Sequence, residues 1–193
     1  MTESTVAGAT SEPDVVDVLT NDHHEVLDLI RQISGAGSNE RRRDMADTAI
    51  SEVVRHAIAE EMYVYPAMKE HLPDGADEVE HDIAEHKELE TVMKSLERVD
   101  SSDPQFDGLV REFEQKLSHH ASDEETDQFP KLRASLPRDV LVDLAHKVET
   151  AKKAAPTRPH PAAPNSPAFH KLVGPGVGLV DRLRDKLSGR STG

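Results

Sequence analysis

The sequence predicts an all-α protein: an up-down-up-down four-helix bundle with a short fifth helix and a proline-rich tail that ends in a small amphipathic helix. Three observations support this prediction. Apolar residues recur at spacings of three and four, no segment alternates with the period of a strand, and short turn sequences separate the periodic segments. Aromatic residues make up only 3% of the 193 residues, so the core is expected to be aliphatic.

The first two helices form the first predicted hairpin. The helical pattern begins at Asp14 and is ended by the glycines at 35 and 37. A second helix follows from about residue 39 to 70, and Pro66 is expected to kink it near its end. The apolar stripe of the first helix comprises Val15, Leu19, His23, Val26 and Ile30. That of the second comprises Met45, Ala49, Val53, His56, Glu60 and Tyr63.

The next two helices form a second hairpin. A turn at 72–75 precedes the third helix, which starts near Ala76, and a turn at 100–104 precedes the fourth. Pro130 is expected to stop or bend the fourth helix, and Pro137 opens a shorter fifth helix. The stripe of the third helix comprises Val79, Ile83, His86, Met93 and Leu96. That of the fourth comprises Phe106, Val110, Phe113, Leu117, His120 and Glu124.

Composition divides the chain into three parts. Residues 1–12 are small and polar and predict a disordered N-terminus, whereas residues 13–150 carry the helical pattern. Residues 151–193 contain 8 basic and 2 acidic residues, in a proline-rich linker followed by a basic amphipathic helix. This helix is expected either to pack on its own bundle or to bind a protein partner or an anionic membrane.

Charge and composition argue against several classes of function. The net charge of −14 would repel a phosphate backbone, so nucleic acid is not an expected partner. The chain has no cysteine, which removes disulfides, iron–sulfur clusters and thiolate zinc sites and fits a reducing compartment. No apolar run is long enough to span a membrane and the N-terminus lacks a signal-peptide core, so we expect a cytoplasmic protein.

One short motif occurs twice along the chain. The segment HAIAE (56–60) is matched 64 positions later by HASDE (120–124), and each copy follows a histidine on the preceding helix. A step from i to i+4 rotates by only about 40° around a helix, so the histidine and glutamate of each copy point the same way. Six polar side chains are therefore expected in the bundle interior. They are His23, His56, Glu60, His86, His120 and Glu124.

These residue types together predict a site for two metal ions. A buried carboxylate costs several kcal/mol unless it is compensated, and neutral imidazoles supply no positive charge. Imidazole nitrogen and carboxylate oxygen suit iron, manganese or zinc. Two carboxylates can bridge two ions and two histidines can complete each one. The alternative, a set of hydrogen-bonded core histidines with surface charge pairs, does not explain the repetition at matched spacing.

Several other residues are candidates near this site. Tyr63 and Asp127 stand seven residues after the two motif histidines and return to their face. Tyr63 is a candidate ligand, hydrogen-bond donor or electron carrier, or else a packing side chain. Asp82 is a candidate weak ligand, or more favourably an acceptor for an imidazole N–H. Glu61 and Glu125 are expected to rotate off the face into solvent or to pair with Arg or Lys.

Four segments carry a resemblance to a known family. DHHEVLDLI, HAIAEEMYVYP, EHKELETVM and HHASDEETDQFP resemble the hemerythrin-like proteins, the HHE cation-binding domains, over residues 14–135. The pattern and the proline-rich tail are similar to those of actinobacterial members. The resemblance implies a non-haem di-iron centre with two irons per chain, bridged by oxygen and carboxylates and held by the six inward residues. It also implies binding of O₂, peroxide or NO in oxidative or nitrosative stress.

The sequence departs from the oxygen-carrying hemerythrins at two points. Those carriers have HxxxH on the third helix, where Asp82 replaces the first histidine here, and HxxxxD on the fourth helix, where this chain has HxxxE. The symmetric four-histidine set predicts an open position on both irons, which favours peroxide or NO turnover, including catalase-like decomposition. The alternatives are an O₂, NO or iron sensor that acts through a partner, and iron storage or donation.

Overall fold

The computed structural model describes residues 12–155, and all regular secondary structure in that range is helical, which confirms the all-α prediction. The predictions for the N-terminus and for the proline-rich tail lie outside the described residues, apart from the ends nearest the helices. None of the helices between residues 12 and 155 is long and apolar enough to cross a membrane. The helices are α1 (Val15–Ile33), α2 (Asn39–Ala59), α3 (Tyr65–His71), α4 (Gly75–Arg98), α5 (Phe106–Asp123), α6 (Phe129–Ser135) and α7 (Arg138–Ala154).

The start of α1 is fixed by a capping box at Asp14. The Asp14 carboxylate accepts hydrogen bonds from the backbone N–H groups of Val16 and Asp17, and the Asp17 carboxylate accepts one from the Asp14 N–H. Such a cap satisfies N–H groups that have no partner within the helix. Arg133 of α6 donates to both oxygens of Asp14, at 3.0 and 2.7 Å, and thereby ties the beginning of α1 to α6.

Loss of this cap is expected to destabilise the protein in a pH-dependent way. Burial opposes ionisation of Asp14, but hydrogen bonds from Arg133 and the backbone outweigh it and hold the pKa below its ordinary value. A lowered pKa stabilises the fold above the unfolded value of about 3.9 and ceases to do so as pH falls through the folded value. Asp14→Ala should therefore lower the free energy of unfolding by about 1–2 kcal/mol at pH 7 and by less below about pH 4.

Urea unfolding at pH 7 and pH 3 measures this difference. Asp44→Ala, at an exposed position on α2, is the control and should leave the free energy of unfolding nearly unchanged at both values. An Asp14→Ala deficit that is the same at both pH values would contradict the role given to the ionised cap.

Two helices are interrupted by a wide π-turn, at Glu60–Val64 between α2 and α3 and at Glu124–Gln128 between α5 and α6. In each, the backbone N–H of Tyr65 or Phe129 bonds to a carbonyl five residues back. A proline follows at 66 and at 130, and in an α-helix its ring would clash with the carbonyl four residues earlier. The wider turn moves that carbonyl away, so both helices continue beyond their proline.

The apolar core consists of two clusters with a polar layer between them. One cluster joins the first half of α1 to α3, α6 and α7, and includes Tyr65, Phe129 and Val148. The other joins the second half of α1 to α2, α4 and α5, and includes Ile50 and Phe113. Helix α1 packs on α2, α5 and α7, while α4 packs on α2, α3 and α5. The motif histidines and glutamates lie on the stretches of helix between the two clusters.

Candidate metal centre

The six residues that the repeat places inside the protein are all buried. Each is at most 5% exposed, although four are histidines and two are carboxylates. They come from the middle of α1, the end of α2 and its π-turn, the middle of α4, and the end of α5 and its π-turn. They are His23, His56, Glu60, His86, His120 and Glu124.

The four histidines form two close pairs. The Nε2 atoms of His23 and His56 are 3.0 Å apart, and those of His86 and His120 are 3.2 Å apart. Two ligand atoms that lie about 2.1 Å from one metal ion, at right angles, are about 3.0 Å from each other. Each pair therefore has the separation of neighbouring ligands on a single ion.

The two glutamates lie between the pairs. Glu60 places Oε1 3.1 Å from His56 Nε2 and Oε2 3.5 Å from His86 Nε2. Glu124 places Oε2 3.3 Å from His23 Nε2 and 3.6 Å from His120 Nε2. Each carboxylate thus faces one histidine from each pair, and Glu60 belongs to both inner groups of candidate ligand atoms.

The chemistry of this layer fits a cation. Neither oxygen of Glu60 or Glu124 has a hydrogen-bond partner among the described residues, although both side chains are buried. Such carboxylates cost several kcal/mol unless positive charge compensates them. Burial disfavours protonation of His56, yet the Glu60 and Asp22 carboxylates outweigh it and raise the pKa of His56 to about 10. The layer therefore strongly favours positive charge, and imidazole and carboxylate donors suit iron, manganese or zinc.

Each histidine also faces a carboxylate on its other ring nitrogen. The distances from Nδ1 are 2.9 Å for His23 to Glu125, 3.2 Å for His56 to Asp22, 3.0 Å for His86 to Glu61, and 3.0 Å for His120 to Glu85. A carboxylate that accepts from Nδ1–H leaves the Nε2 lone pair directed at the centre and makes it a better ligand. These four carboxylates orient the histidines.

The expectation that Glu61 rotates into solvent was wrong, and both Glu61 and Glu125 lie against histidines. They were expected in solvent or on Arg or Lys, but Glu61 is only 4% exposed and both accept from imidazoles. The helical angle places them beside the inward face, where they meet a histidine of a neighbouring helix. A second glutamate directly follows the motif glutamate in both copies, and this repetition in the sequence could have indicated their role.

Removal of an orienting carboxylate is expected to weaken metal binding without removing a ligand. Glu125→Ala should reduce metal affinity by roughly 10- to 100-fold, because His23 loses the acceptor that fixes its ring. Glu125→Gln keeps an acceptor oxygen and should retain most of the affinity. Competition with a chelator measures both values, and Glu112→Ala, at an exposed position on α5, is the control. Equal affinity in Glu125→Ala and the wild type would contradict this role.

Tyr65, and not the predicted Tyr63, contacts the histidines. The Tyr65 hydroxyl lies 3.1 Å from His86 Nε2, and its ring stacks on that imidazole. Tyr63 is half-buried and packs against the apolar cluster that includes α3 and α7, which agrees with the packing role left open for it. The π-turn is the cause, since it takes an extra residue and places Tyr65 one turn beyond Glu60. In the other half, Phe129 takes the matching position and its ring lies parallel to that of His23, with centroids 6.0 Å apart.

Of the other two candidates, Asp127 lies away from the centre, whereas Asp82 keeps the alternative of a weak ligand, because it groups with Glu85 and His120. Asp127 is exposed and its carboxylate lies 2.5 Å from Lys131 Nζ, because the second π-turn rotates it away from the centre. Asp82 is fully buried, but it accepts a hydrogen bond from Gln128 at 2.9 Å and not from an imidazole. Burial and the nearby Glu124 carboxylate raise the pKa of Asp82 to about 7. His24 is exposed, as its position on α1 predicts.

The fold and this layer define a class: all-helical proteins with a buried, twofold set of histidine and carboxylate ligands for cations. The hemerythrin HHE cation-binding domain family matches residues 14–132, which is more than half of the chain. The protein belongs to this family, and the groups described above are its candidate ligands.

Two curated relatives extend this comparison. An uncharacterized hemerythrin-like protein of Schizosaccharomyces pombe is 26% identical over 174 residues, which cover 90% of this chain and 86% of the relative. A DNA nickase of Nostoc is 22% identical over 138 residues, which cover 72% of this chain but only 39% of that protein. No solved structure gives a significant match.

Proposed function

We propose that this protein is a non-haem di-iron protein whose four long helices form an up-down-up-down bundle around the two ions. His23 and His56 would hold one iron, His86 and His120 the other, and the two buried glutamates would bridge them. The observation that supports this most is the pair of buried carboxylates without hydrogen-bond partners, each between one histidine of either pair. We place the protein in the cytoplasm, where its lack of cysteine fits a reducing environment.

Iron is the metal that best suits the proposed ligand set. Two imidazoles and a share of two carboxylates, with a bridging oxygen, leave each ion short of six ligands, which is typical of non-haem iron that binds small molecules. When bound, the two irons would supply the electrons for reaction with O₂, hydrogen peroxide or NO. We propose a role in oxidative or nitrosative stress, with decomposition of peroxide as the activity.

A cavity beside the first histidine pair supports access for a small molecule. It has a volume of about 190 Å³ and reaches from exposed Glu25 to His23 and His56. Its walls are partly apolar, with Val26, Val53 and Leu117 among the lining residues. An uncharged molecule of two to four atoms fits such a passage, whereas the acidic residues around it disfavour anions.

Tyr65 is the residue of the chain that we expect to act on a bound oxidant. Burial and the surrounding carboxylates raise the pKa of its hydroxyl well above the ordinary value, so the hydroxyl stays protonated and can donate a hydrogen bond. It lies beside the second histidine pair, while the apolar Phe129 lies beside the first. A molecule between the two irons would therefore meet a proton donor on one side only.

Tyr65→Phe is expected to lower the rate of peroxide decomposition by roughly tenfold or more at unchanged metal content, because the donor is lost and the ring is kept. Oxygen evolution from hydrogen peroxide measures the rate, and Tyr63→Phe is the matched control that should behave like the wild type. A stable, reversible O₂ complex without peroxide turnover would refute the catalytic proposal. Equal rates in Tyr65→Phe and the wild type would refute the role of the hydroxyl.

One observation favours a sensor as the second candidate function. Lys152, near the end of α7, donates to both oxygens of Asp22 at 2.7 Å, and Asp22 in turn faces His56 Nδ1 at 3.2 Å. A change at His56 can therefore be passed to α7 and to the tail that follows it. The predicted partner of the tail helix would receive such a signal.

No comparable observation among the described residues favours iron storage. The net charge of −14 disfavours contact with DNA, so we do not transfer the nicking activity of the Nostoc protein to this chain.

A further inference from the structure

A second group of histidines and carboxylates lies on the outer face of α4 and α5. His81 and Glu85 are one turn apart on α4, and His119 and Asp123 are one turn apart on α5. We call these four residues the outer cluster. Glu85 Oε1 lies 3.5 Å from His81 Nε2 and 3.6 Å from His119 Nε2, and Asp123 Oδ2 lies 3.8 Å from His119 Nε2.

These separations suit ligands of one cation. Two atoms about 2.1 Å from a common ion are about 3.0 Å apart at right angles and about 4.2 Å apart when opposite. The three distances fall inside this interval, and His81, Glu85 and Asp123 each offer a ligand atom within 4.8 Å of the others. This group of one imidazole and two carboxylates, with the His119 imidazole beside both carboxylates, favours divalent iron, cobalt, nickel or zinc over magnesium or calcium.

The two halves of the protein differ at this position. Asp22, which orients His56, is held from outside by Lys152 of α7. Glu85, which orients His120, has only the exposed imidazoles of His81 and His119 on its outer side among the described contacts. In one half α7 supplies a fixed positive charge beside the orienting carboxylate. In the other half two exposed imidazoles stand at that position, and imidazole nitrogen is a common metal ligand.

The outer cluster is connected to the buried centre by shared ligands. Glu85 turns its other oxygen, Oε2, to His120 Nδ1 at 3.0 Å. Asp82 groups with Glu85 and His120 as a further set of ligand atoms, and its Oδ2 is buried without a hydrogen-bond partner. His120 then belongs to the inner group with Glu60 and His86. Three candidate groups thus follow one another from the surface inward, and each shares a residue with the next.

We propose that the outer cluster binds a divalent transition-metal ion and is the point from which ions reach the buried centre. Asp82 is the carboxylate that receives the ion between the two sites. Binding at the outer cluster does not depend on the function proposed above, whereas delivery rests on the buried centre being a metal site.

The outer site is tested by titration of metal-loaded, full-length protein with Co²⁺. One additional cation per chain should bind, while elemental analysis shows that the original metal is retained. The double variant His81→Ala, His119→Ala should weaken this additional binding by at least roughly tenfold. The control removes two other exposed imidazoles, in His24→Ala, His146→Ala, and should bind as the wild type does. Absence of an additional cation, or equal binding in the double variant, would overturn the proposal.

Delivery is tested by the rate at which a chelator removes metal from the loaded protein, because an ion leaves by the route that it enters. The double variant and Asp82→Asn should both release metal several-fold more slowly than the wild type at equal initial content. If Co²⁺ binds to the outer cluster but both release rates match that of the wild type, the outer site stands and its role in delivery is wrong.

Discussion

Replacement of Glu60 and Glu124 together by glutamine is expected to abolish binding of the two metal ions proposed for the buried layer. Glutamine keeps the volume of each side chain but eliminates the two negative charges that the buried layer places between the histidine pairs. The stabilisation that metal gives the folded state should disappear with it. At metal concentrations near 1,000 times the dissociation constant that stabilisation is about 4 kcal/mol, or roughly 10 °C in the melting temperature.

Elemental analysis and thermal melting with and without added metal measure the two effects. The control is Glu70→Gln, Glu80→Gln, which removes the same charge from exposed positions and should keep both the metal and the metal-dependent melting shift. Full metal retention in Glu60→Gln, Glu124→Gln would show that the carboxylates are not ligands and would end the bridging assignment.

Gly75→Ala is expected to destabilise the fold by about 3 kcal/mol, the upper end of the range for overpacking. An added Cβ would lie 2.1 Å from the Met68 carbonyl oxygen and 2.6 Å from its carbon. These are backbone atoms of α3, so no side-chain rotation can relieve the contact. Since α4 begins at Gly75, the substitution forces apart the helices that carry Tyr65 and His86. The melting temperature should fall by roughly 6–12 °C.

Gly108→Ala is the matched control for this substitution. It lies within α5, and an added Cβ there meets no atom within 4 Å. Alanine should therefore stabilise the protein by about 0.5–1 kcal/mol, because it is the better helix former. Melting curves of both variants separate steric strain from helix propensity. Equal stability of Gly75→Ala and the wild type would show that α3 and α4 do not approach as closely as described.

The positions of the six inward residues could be predicted because helical geometry is regular up to each of them. His23 and His86 lie inside uninterrupted helices, and both motif copies end where the π-turns begin. The period of 3.6 residues is therefore valid for all six, and the repetition of the motif separates them from ordinary core histidines. The same helical geometry correctly predicted that His24 is exposed.

The surroundings of these residues could not be predicted by the same means. A π-turn changes the helical phase, so counting seven residues on led to Tyr63 and Asp127, where the structure has Tyr65 and Phe129. The prolines at 66 and 130 indicate an irregular helix, but a proline alone does not determine whether the helix kinks or forms a wider turn.

Contacts between helices could not be predicted either, because the residue pattern of one helix does not determine how it packs on another. Glu61 meets His86 and Glu85 meets His120 across two helices, so their roles depend on the tilt and offset of the packed helices. Lys152 and Asp22 are 130 residues apart in the sequence, and their contact follows from the way α7 packs on α1. No periodicity along the chain carries that information.

Diffraction at the iron absorption edge from crystals of the full-length protein tests most directly whether this layer holds two irons. The proposal predicts two anomalous peaks about 3.5–4 Å apart, within bonding distance of both buried glutamates. One peak should lie beside Nε2 of His23 and His56, and the other beside Nε2 of His86 and His120. A single peak, iron bound elsewhere, or a layer whose only metal is zinc would contradict it.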